Sequence, residues 1–333
     1  MIDFNKGEQQ LNKFAGSEKK STVLYNGDVY MVKYPDPVRA KKLKNEISYK
    51  NNQYSEHIGS SIFRSCGIDA QETVIGEFTD TKGKRKTVVG CKDFTQNGEK
   101  LYEMDKLANS VALDETQLDA TIENVNRIID EAEFIKDKNA IKNGFWDMFV
   151  VDALIGNKDR HLGNWGILVK DDEITFAPVY DCGSALSALL DDDKMQLIIN
   201  EPVTFKSQEF NLASMYSMKG KRVLYHEIFK SPPSELSEAI KRTVPKINMD
   251  EICGIVDSTP QMPEIRKMYL KKALVLRYEQ ILLPALKIIL RHENDVQKTK
   301  SSLMAKVKNG KEKAAQQGRS ETNNKNRTDN HIG

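Results

Sequence analysis

The stretch at residues 156–168, GNKDRHLGNWGIL, constrains the fold more than any other part of the chain. It sets Lys158, Asp159, Arg160 and His161 between two apolar runs, the helix-like FWDMFVVDALIG before it and the strand-like WGILVK after it. Both runs have the periodicity of buried elements, so a core must carry this charged loop to a defined place. Polar loops held on a rigid scaffold are where binding and chemistry concentrate. A second strand and turn, ITFAPVYDCGSAL, comes next. The two strands can pair as a hairpin around Lys170-Asp171-Asp172, which returns Asp181 beside Asn164.

That placement defines a chemistry. Asn164 and Asp181 together offer a carboxamide and a carboxylate, oxygen donors suited to a hard cation such as Mg²⁺. Asp159 remains nearby to orient a nucleophile. These are the parts phosphoryl transfer needs, because its catalysis is mostly positioning and charge neutralisation.

Composition narrows the alternatives. The 333 residues suffice for two lobes, each with its own core. Apolar residues at 39% and charged residues at 29% fit a globular protein. A net charge of +2 lacks the clustered basic excess of a nucleic-acid binder, so no direct nucleic-acid binding is expected. No apolar run approaches the roughly 18 residues of a membrane span. The N-terminal MIDFNKGEQQ lacks a signal core, so a cytoplasmic location is expected, with specialised secretion left open. Cys66, Cys91, Cys182 and Cys253 are far apart and form no CxxC pair, as expected of reduced core thiols.

The first hundred or so residues read as β-rich with one helix. TVLYNGDVYMVKYP holds two alternating runs around Asn26-Gly27, a strong hairpin signal. SEHIGSSIFRSCGI reads as a helix capped by Ser55, with Ile58, Ile62 and Cys66 on one face and Gly67 as its stop. QETVIGEF and KRKTVVGCKDF are two further strands joined by TDTKGK. KDFTQNGEK then connects to a helical region. There LDATIENVNRIIDEAEFI and NGFWDMFVVDALIG have helical spacing, and the region ends in PEIRKMYLKKALVLRYEQILLPALKIILRHE. Pro263 suits a helix start, and Pro284 is expected to kink that helix or divide it. The organisation expected is therefore 1–95 as a β-rich N-lobe, 96–292 as a helical C-lobe, and 293–333 as a disordered polar tail without aromatic residues.

D-x-H-x-x-N followed by a strand and D-x-G resembles the catalytic and metal-binding loops of kinases. GNKDRHLGN with YDCGSAL is most similar to the HipA-type serine/threonine kinases, over roughly residues 14–290. Phosphoinositide 3- and 4-kinases share the DRHxxN style and are the nearest competitor. The resemblance implies an α+β, two-lobed protein-kinase-like fold. It implies an ATP- and Mg²⁺-dependent kinase that autophosphorylates and acts on a protein with a Ser or Thr acceptor. Asp159 then matches the catalytic base, and Asn164 and Asp181 match the Mg²⁺ ligands. His161 is either a base or, more in keeping with the motif, a brace for the loop. Arg160 either meets a phosphate or faces solvent. Trp146 and Trp165 read as core.

The small lobe is read against the same pattern. Strand alternation puts Lys33 on the face of Val29 and Met31, and the resemblance makes it the lysine that touches ATP phosphates. Its partner acid is Glu56 at the helix start, with Glu46 as the alternative. FAGSEKKSTVL stands where the phosphate loop belongs, although it has neither GxGxxG nor GxxxxGK[ST]. Gly16 lets the backbone approach phosphate, Ser17, Lys19 and Lys20 supply donors, and Ser17 and Ser21 are candidate self-phosphorylation sites. Cys91, Lys92, Asp93 and Phe94 occupy the hinge position that binds adenine, where Asp93 either reaches the ribose or caps the following turn. HipA toxins usually carry an extra N-terminal subdomain that engages a DNA-bound antitoxin. The phosphate loop lies so near the start here that a compact form is expected, with an antitoxin-like partner less supported. A lipid kinase and a nucleotide-binding pseudokinase are the alternative functions. Retention of Lys33, Asp159, Asn164 and Asp181 argues against the second.

Overall fold

Asn26 and Gly27 set the first hairpin of the N-terminal lobe. The computed structural model describes residues 1–12, 20–35, 51–111 and 119–299, with Ser301, Met304 and Lys311. Short strands β1 (Ile2–Asp3) and β2 (Glu8–Gln10) come first, then β3 (Lys20–Tyr25) and β4 (Asp28–Lys33). Between β3 and β4, Asn26 (φ 51°) and Gly27 (φ 86°) are both left-handed, as a type I′ turn requires. The turn fixes the register, with Lys20 opposite Lys33 and Ser21 opposite Val32.

Helix α1 (Asn52–Ser65) is next, then β5 (Thr73–Thr79) and β6 (Arg85–Lys92). The helix starts three residues before the expected Ser55 cap, with Asn51 at its N-cap, and stops at Gly67 (φ 71°) as expected. Its first turn is polar yet buried through Asn52 and Gln53, so apolar spacing does not mark it. The six strands order β1-β5-β6-β4-β3-β2. Phe4, Val23, Val32, Tyr34 and Val88 cluster on one face of the sheet. Lys33 points to the opposite face, where α1 packs against β5 and β6.

The C-terminal lobe begins with β7 (Lys100–Glu103), α2 (Met104–Val111) and α3 (Ile122–Glu131). At its centre lies α4 (Lys138–Ile155), whose residues from Met148 to Ile155 are all buried. Strands β8 (Gly166–Lys170) and β9 (Glu173–Phe176) pair with β7 in the order β7-β8-β9. Asp171 (φ 46°) and Asp172 (φ 64°) make the two-residue turn expected between them. The lobe is completed by α5 (Asp192–Ile198), α6 (Pro202–Phe210), the hairpin β10 (Ala213–Met218) and β11 (Lys221–Leu224), α7 (Tyr225–Ile228), α8 (Ser234–Thr243), α9 (Met249–Ser258) and α10 (Glu264–Arg277). Trp146 and Trp165 are core residues. No described helix is long and apolar enough to cross a membrane.

Pro284 lies within a continuous run of helical residues, and the boundary between two compact units falls just after it. A π-helical turn at Tyr278–Leu282 precedes it, and the Leu283 N–H reaches back to the Tyr278 carbonyl. The wider turn lies directly before the proline, which has no N–H to give and crowds the preceding carbonyls. Residues 1–285 form one unit and 286–333 another. In the second unit residues 286–299 are helical, and 293–299 are exposed throughout. Favourable helix formers such as Gln297 and Lys298 carry the helix there without a core.

A direct backbone contact joins the two lobes. Ala70, between α1 and β5, forms a parallel bridge with Val179. The Gln71 N–H donates to the Val179 carbonyl, and the Val179 N–H donates to the Asp69 carbonyl, both at 2.8 Å. Gly59 on α1 is needed for the same approach, because a Cβ there would lie 2.6 Å from Cys182 Cβ. Gly59→Ala is expected to cost about 2 kcal/mol by overpacking, read as a lower urea midpoint with an unchanged slope.

Candidate active site

The site forms where α4 ends. Gly156 (φ 66°) is the left-handed C-cap of α4, and its missing side chain makes room for Leu212 and the Arg277 guanidinium. The chain then enters the Lys158–Asn164 loop. Asn157 Oδ1 accepts from the Asp159 N–H at 3.1 Å, while Asn157 Nδ2 donates to Asp152 at 3.0 Å. His161 Nδ1 accepts from the Gly163 N–H at 3.1 Å and so caps the 3₁₀ turn Leu162–Asn164. This bond ties the imidazole to the backbone of the loop. Asn164 Nδ2 donates to the Asp159 carbonyl at 2.8 Å, which leaves Oδ1 as the acceptor atom of that side chain.

Arg160 neither faces solvent nor stands ready for a phosphate. It is 1% exposed and holds the loop from beneath. Its Nε and Nη2 form a fork on the Asp152 carboxylate at 2.9 and 3.1 Å. Nη1 donates to the carbonyls of Asn164, at 2.8 Å, and Tyr180. Nη2 also lies 3.6 Å from Cys182 Sγ. One guanidinium thus ties together the end of α4, the Asn164 loop and the Asp181 turn. Burial opposes its charge, but the Asp152 carboxylate overrides burial and holds the arginine above its ordinary pKa. Spacing alone does not reveal this role. The available signal was Asp152 itself, an acid within an apolar helical run, which must be paired if buried.

Asp181 adopts φ 59°, a left-handed conformation that costs a non-glycine residue energy and tends to persist where a site requires it. Its Oδ1 accepts from Lys33 Nζ at 2.9 Å. The same ammonium donates to Glu56 Oε2 at 2.9 Å. Glu56 Oε1 accepts from the Cys182 N–H at 3.1 Å. Glu56 is therefore the acid that partners Lys33. Glu46, the alternative, lies outside the described residues. Lys33 and Glu56 are buried, whereas the Asp181 side chain is 36% exposed and forms the open side of the group. Burial pushes the Asp181 carboxyl up, but Lys33 outweighs it, with smaller help from Arg160 and His161, and keeps the pKa below the ordinary carboxylate value. Cys182, enclosed beside Arg160 and Glu56, is pushed up to about 12 by burial and stays a thiol.

Other expected residues divide. Lys20 stands directly across from Lys33 on the same sheet face. Ser21 faces the other way: it is buried and its Oγ lies 2.7 Å from Tyr34 Oη, so it is not presented for self-phosphorylation. Gly16, Ser17 and Lys19 lie outside the described residues. In the hinge segment Cys91 is buried in β6, and Lys92 pairs with Asp28 at 2.9 Å, away from the cleft. Asp93 Oδ1 accepts from the backbone and hydroxyl of Thr95 at 2.9 and 2.7 Å. It caps the following turn, the second of its two expected roles. The Phe94 ring packs against Tyr180 at 6.1 Å, beside Asp181. Ser184 was not foreseen in the site; its Oγ donates to Asp159 Oδ2 at 3.1 Å.

Among the described residues no three His, Cys, Asp or Glu side chains converge as a metal centre. The oxygen donors present are the Asn164 amide and the Asp181 carboxylate, a set that fits a hard cation completing its shell with phosphate and water. A lysine-glutamate pair reaching into a cleft, opposite a loop carrying Asp and Asn and a turn carrying a further Asp, is the arrangement of a kinase fold.

The chain belongs to the HipA-like family, whose C-terminal domain model matches residues 13–251. It is 35% identical to the serine/threonine-protein kinase CtkA of Helicobacter pylori over 289 residues, covering 84% of this chain and 86% of that protein. The crystal structure of that proinflammatory kinase matches with a TM-score of 0.79 and 34% identity, over 87% of this chain and 98% of the solved one. HipA of Shewanella oneidensis MR-1, solved with HipB and operator DNA, matches with a TM-score of 0.50 and 16% identity, over 83% of this chain and 66% of that one. Family and fold together make this a kinase-like protein of α+β architecture, with a β-rich N-terminal sheet and a helical C-terminal region.

Arg160→Met is expected to cost ~3–5 kcal/mol, because it leaves Asp152 buried without its charge partner. Urea denaturation measures this, and Asp152→Asn in the same background is expected to recover part of the loss.

Proposed function

We propose that the protein is an ATP- and Mg²⁺-dependent serine/threonine protein kinase that also phosphorylates itself. The observation that carries this reading is the buried bridge from Lys33 to both Glu56 and Asp181, which joins the sheet to the turn beyond the Asp159 loop.

In this reading Asp159 accepts a hydrogen bond from the acceptor Ser or Thr hydroxyl and aims its oxygen at the γ-phosphorus. The new O–P bond forms as the bond to the bridging oxygen of the departing ADP breaks. The hydroxyl proton leaves through Asp159. Lys33 holds the α- and β-phosphates, and Glu56 keeps that ammonium extended into the cleft. Asn164 and Asp181 would hold the cation, which supplies neutralisation of phosphate charge when bound. Lys20 shares the Lys33 face and adds positive potential beside it. Gly16, Ser17 and Lys19 retain their expected role in the phosphate loop. The 91–94 segment supports adenine through its backbone, with the Cys91, Lys92 and Asp93 side chains occupied elsewhere.

The 35% identity to a protein kinase across most of both chains supports a protein acceptor over an inositol lipid. The intact Lys33, Asp159, Asn164 and Asp181 support catalysis over a pseudokinase. A protein partner resembling an antitoxin and a cytoplasmic site of action remain part of the proposal.

Incubation with Mg²⁺ and γ-labelled ATP, alone and with histone or an inositol lipid, tests it. Label is expected on serine or threonine of the protein and of histone. Asp159→Asn is expected to lower the rate by roughly 10²–10⁴, and Lys33→Met and Asp181→Asn are expected to lose transfer as well. Label confined to lipid would instead support the lipid-kinase alternative, and ATP binding without transfer the pseudokinase.

A further inference from the structure

The Asp159 carboxylate has one side-chain partner among the described residues, the Ser184 hydroxyl at 3.1 Å. Its other bonds run through the backbone. The Asp159 N–H goes to Asn157 Oδ1, and the Asp159 carbonyl accepts from Asn164 Nδ2 and from the His161 N–H at 2.9 Å. These bonds place the backbone of Asp159 and do not reach its carboxylate. Among the described residues Ser184 alone holds an oxygen of that group, and it holds Oδ2.

Ser184 is itself held rigidly. The Ala185 N–H closes a turn onto the Cys182 carbonyl at 3.0 Å, and the Leu186 N–H donates to the Ile155 carbonyl at 2.9 Å. Ile155 is the last residue of α4, directly before the loop that carries Asp159. The donor and its acceptor are therefore mounted on the same helix end. On the other side, Gly183 passes so close to Glu56 that a Cβ there would lie 3.0 Å from Oε2. Leu186 (φ 52°) and Ser187 (φ 51°) are both left-handed, and Ser187 is tied to the buried Glu209 at 2.8 Å. The serine backbone stands at a fixed point beside Asp159, set by bonds that do not depend on the serine side chain.

We propose that Ser184 is a positioning residue for phosphoryl transfer: its hydroxyl fixes Oδ2 of Asp159 and leaves Oδ1 as the oxygen that receives the acceptor hydroxyl. This rests on the function proposed above for Asp159. A carboxylate held by one oxygen presents the other in a single direction, whereas an untethered one must lose rotational freedom in the transition state. Ser184 touches neither ATP nor the acceptor in this account, so its effect falls on the chemical step and not on nucleotide binding.

The test is steady-state transfer from γ-labelled ATP to histone by wild-type protein, Ser184→Ala, Ser184→Thr, Asp159→Asn and the Asp159→Asn/Ser184→Ala double variant, with a thermal melt of each. Ser184→Ala is expected to lower kcat ~10-fold, the rate equivalent of a hydrogen bond lost from a charged acceptor, with KM for ATP and melting temperature unchanged. Ser184→Thr, which keeps the hydroxyl, is expected to keep most of kcat. The double variant is expected to match Asp159→Asn, because Ser184 then has no carboxylate to hold. A rise in KM for ATP or a fall in melting temperature that accounts for the loss, or an equal Ser184→Ala effect in the Asp159→Asn background, would overturn the proposal. So would phosphate mapped to Ser184 itself, which would make it an acceptor. Wild-type rates in Ser184→Ala beside an inactive Asp159→Asn would sink the role of Ser184 alone. Full activity in Asp159→Asn would sink the assignment of Asp159 and this inference with it.

Discussion

Everything at the centre of this molecule depends on how the Glu56 carboxylate is shared. One oxygen takes the Lys33 ammonium and the other takes the Cys182 backbone N–H. A buried lysine on an apolar strand face is unfavourable without a counter-charge, so β4 is tolerable in its sequence only if α1 delivers an acid to it. The second oxygen makes that same acid a docking point for the turn just past Asp181. Helix, strand and turn therefore assemble around one side chain, and the narrow approach permitted by Gly59 lets the helix lie close enough to serve both.

Arg160 does for the large lobe what Glu56 does for the cleft. It gathers Asp152 of α4, the Asn164 carbonyl and the Tyr180 carbonyl around a single planar group. A lysine could not reach these partners at once, since it lacks the fork. Asn157 extends the network outward, because its carbonyl accepts from the Tyr225 hydroxyl at 2.7 Å. Exposed polar residues on the loop are free to act because the buried ones beneath it are fully engaged.

Much of this was legible in the sequence. The Asn26-Gly27 and Asp171-Asp172 hairpins were, because two-residue turns demand left-handed residues and then fix register. Lys33 could be assigned a face by alternation alone. The orientation of Ser21 follows from the same hairpin, since a residue paired with Val32 faces away from the side that Lys33 takes. The start of α1 was not legible, because its first turn buries Asn52 and Gln53 and carries no apolar stripe. The choice of Glu56, the burial of Arg160 and the contact of Ser184 with Asp159 each depend on a partner distant in sequence or on a turn with unusual dihedrals. Local pattern carries no information about either.

The pairing of Ala70 with Val179 has a mechanical consequence. Residues 179–182 are fastened to the sheet side by that bridge and by Glu56, and to the helical side by Arg160 and by the Tyr180 hydroxyl on the Gly163 carbonyl. A rotation of the sheet on the helical lobe that leaves these bonds intact, and the Tyr54 hydroxyl on the Gln261 carbonyl with them, must turn close to this short segment and α1. Its lever arm is smallest at Asp181 and grows across the sheet from β5 toward β2. Opening the cleft in this way would sweep the far edge of the sheet through a wide arc while the groups nearest the pivot scarcely change their spacing.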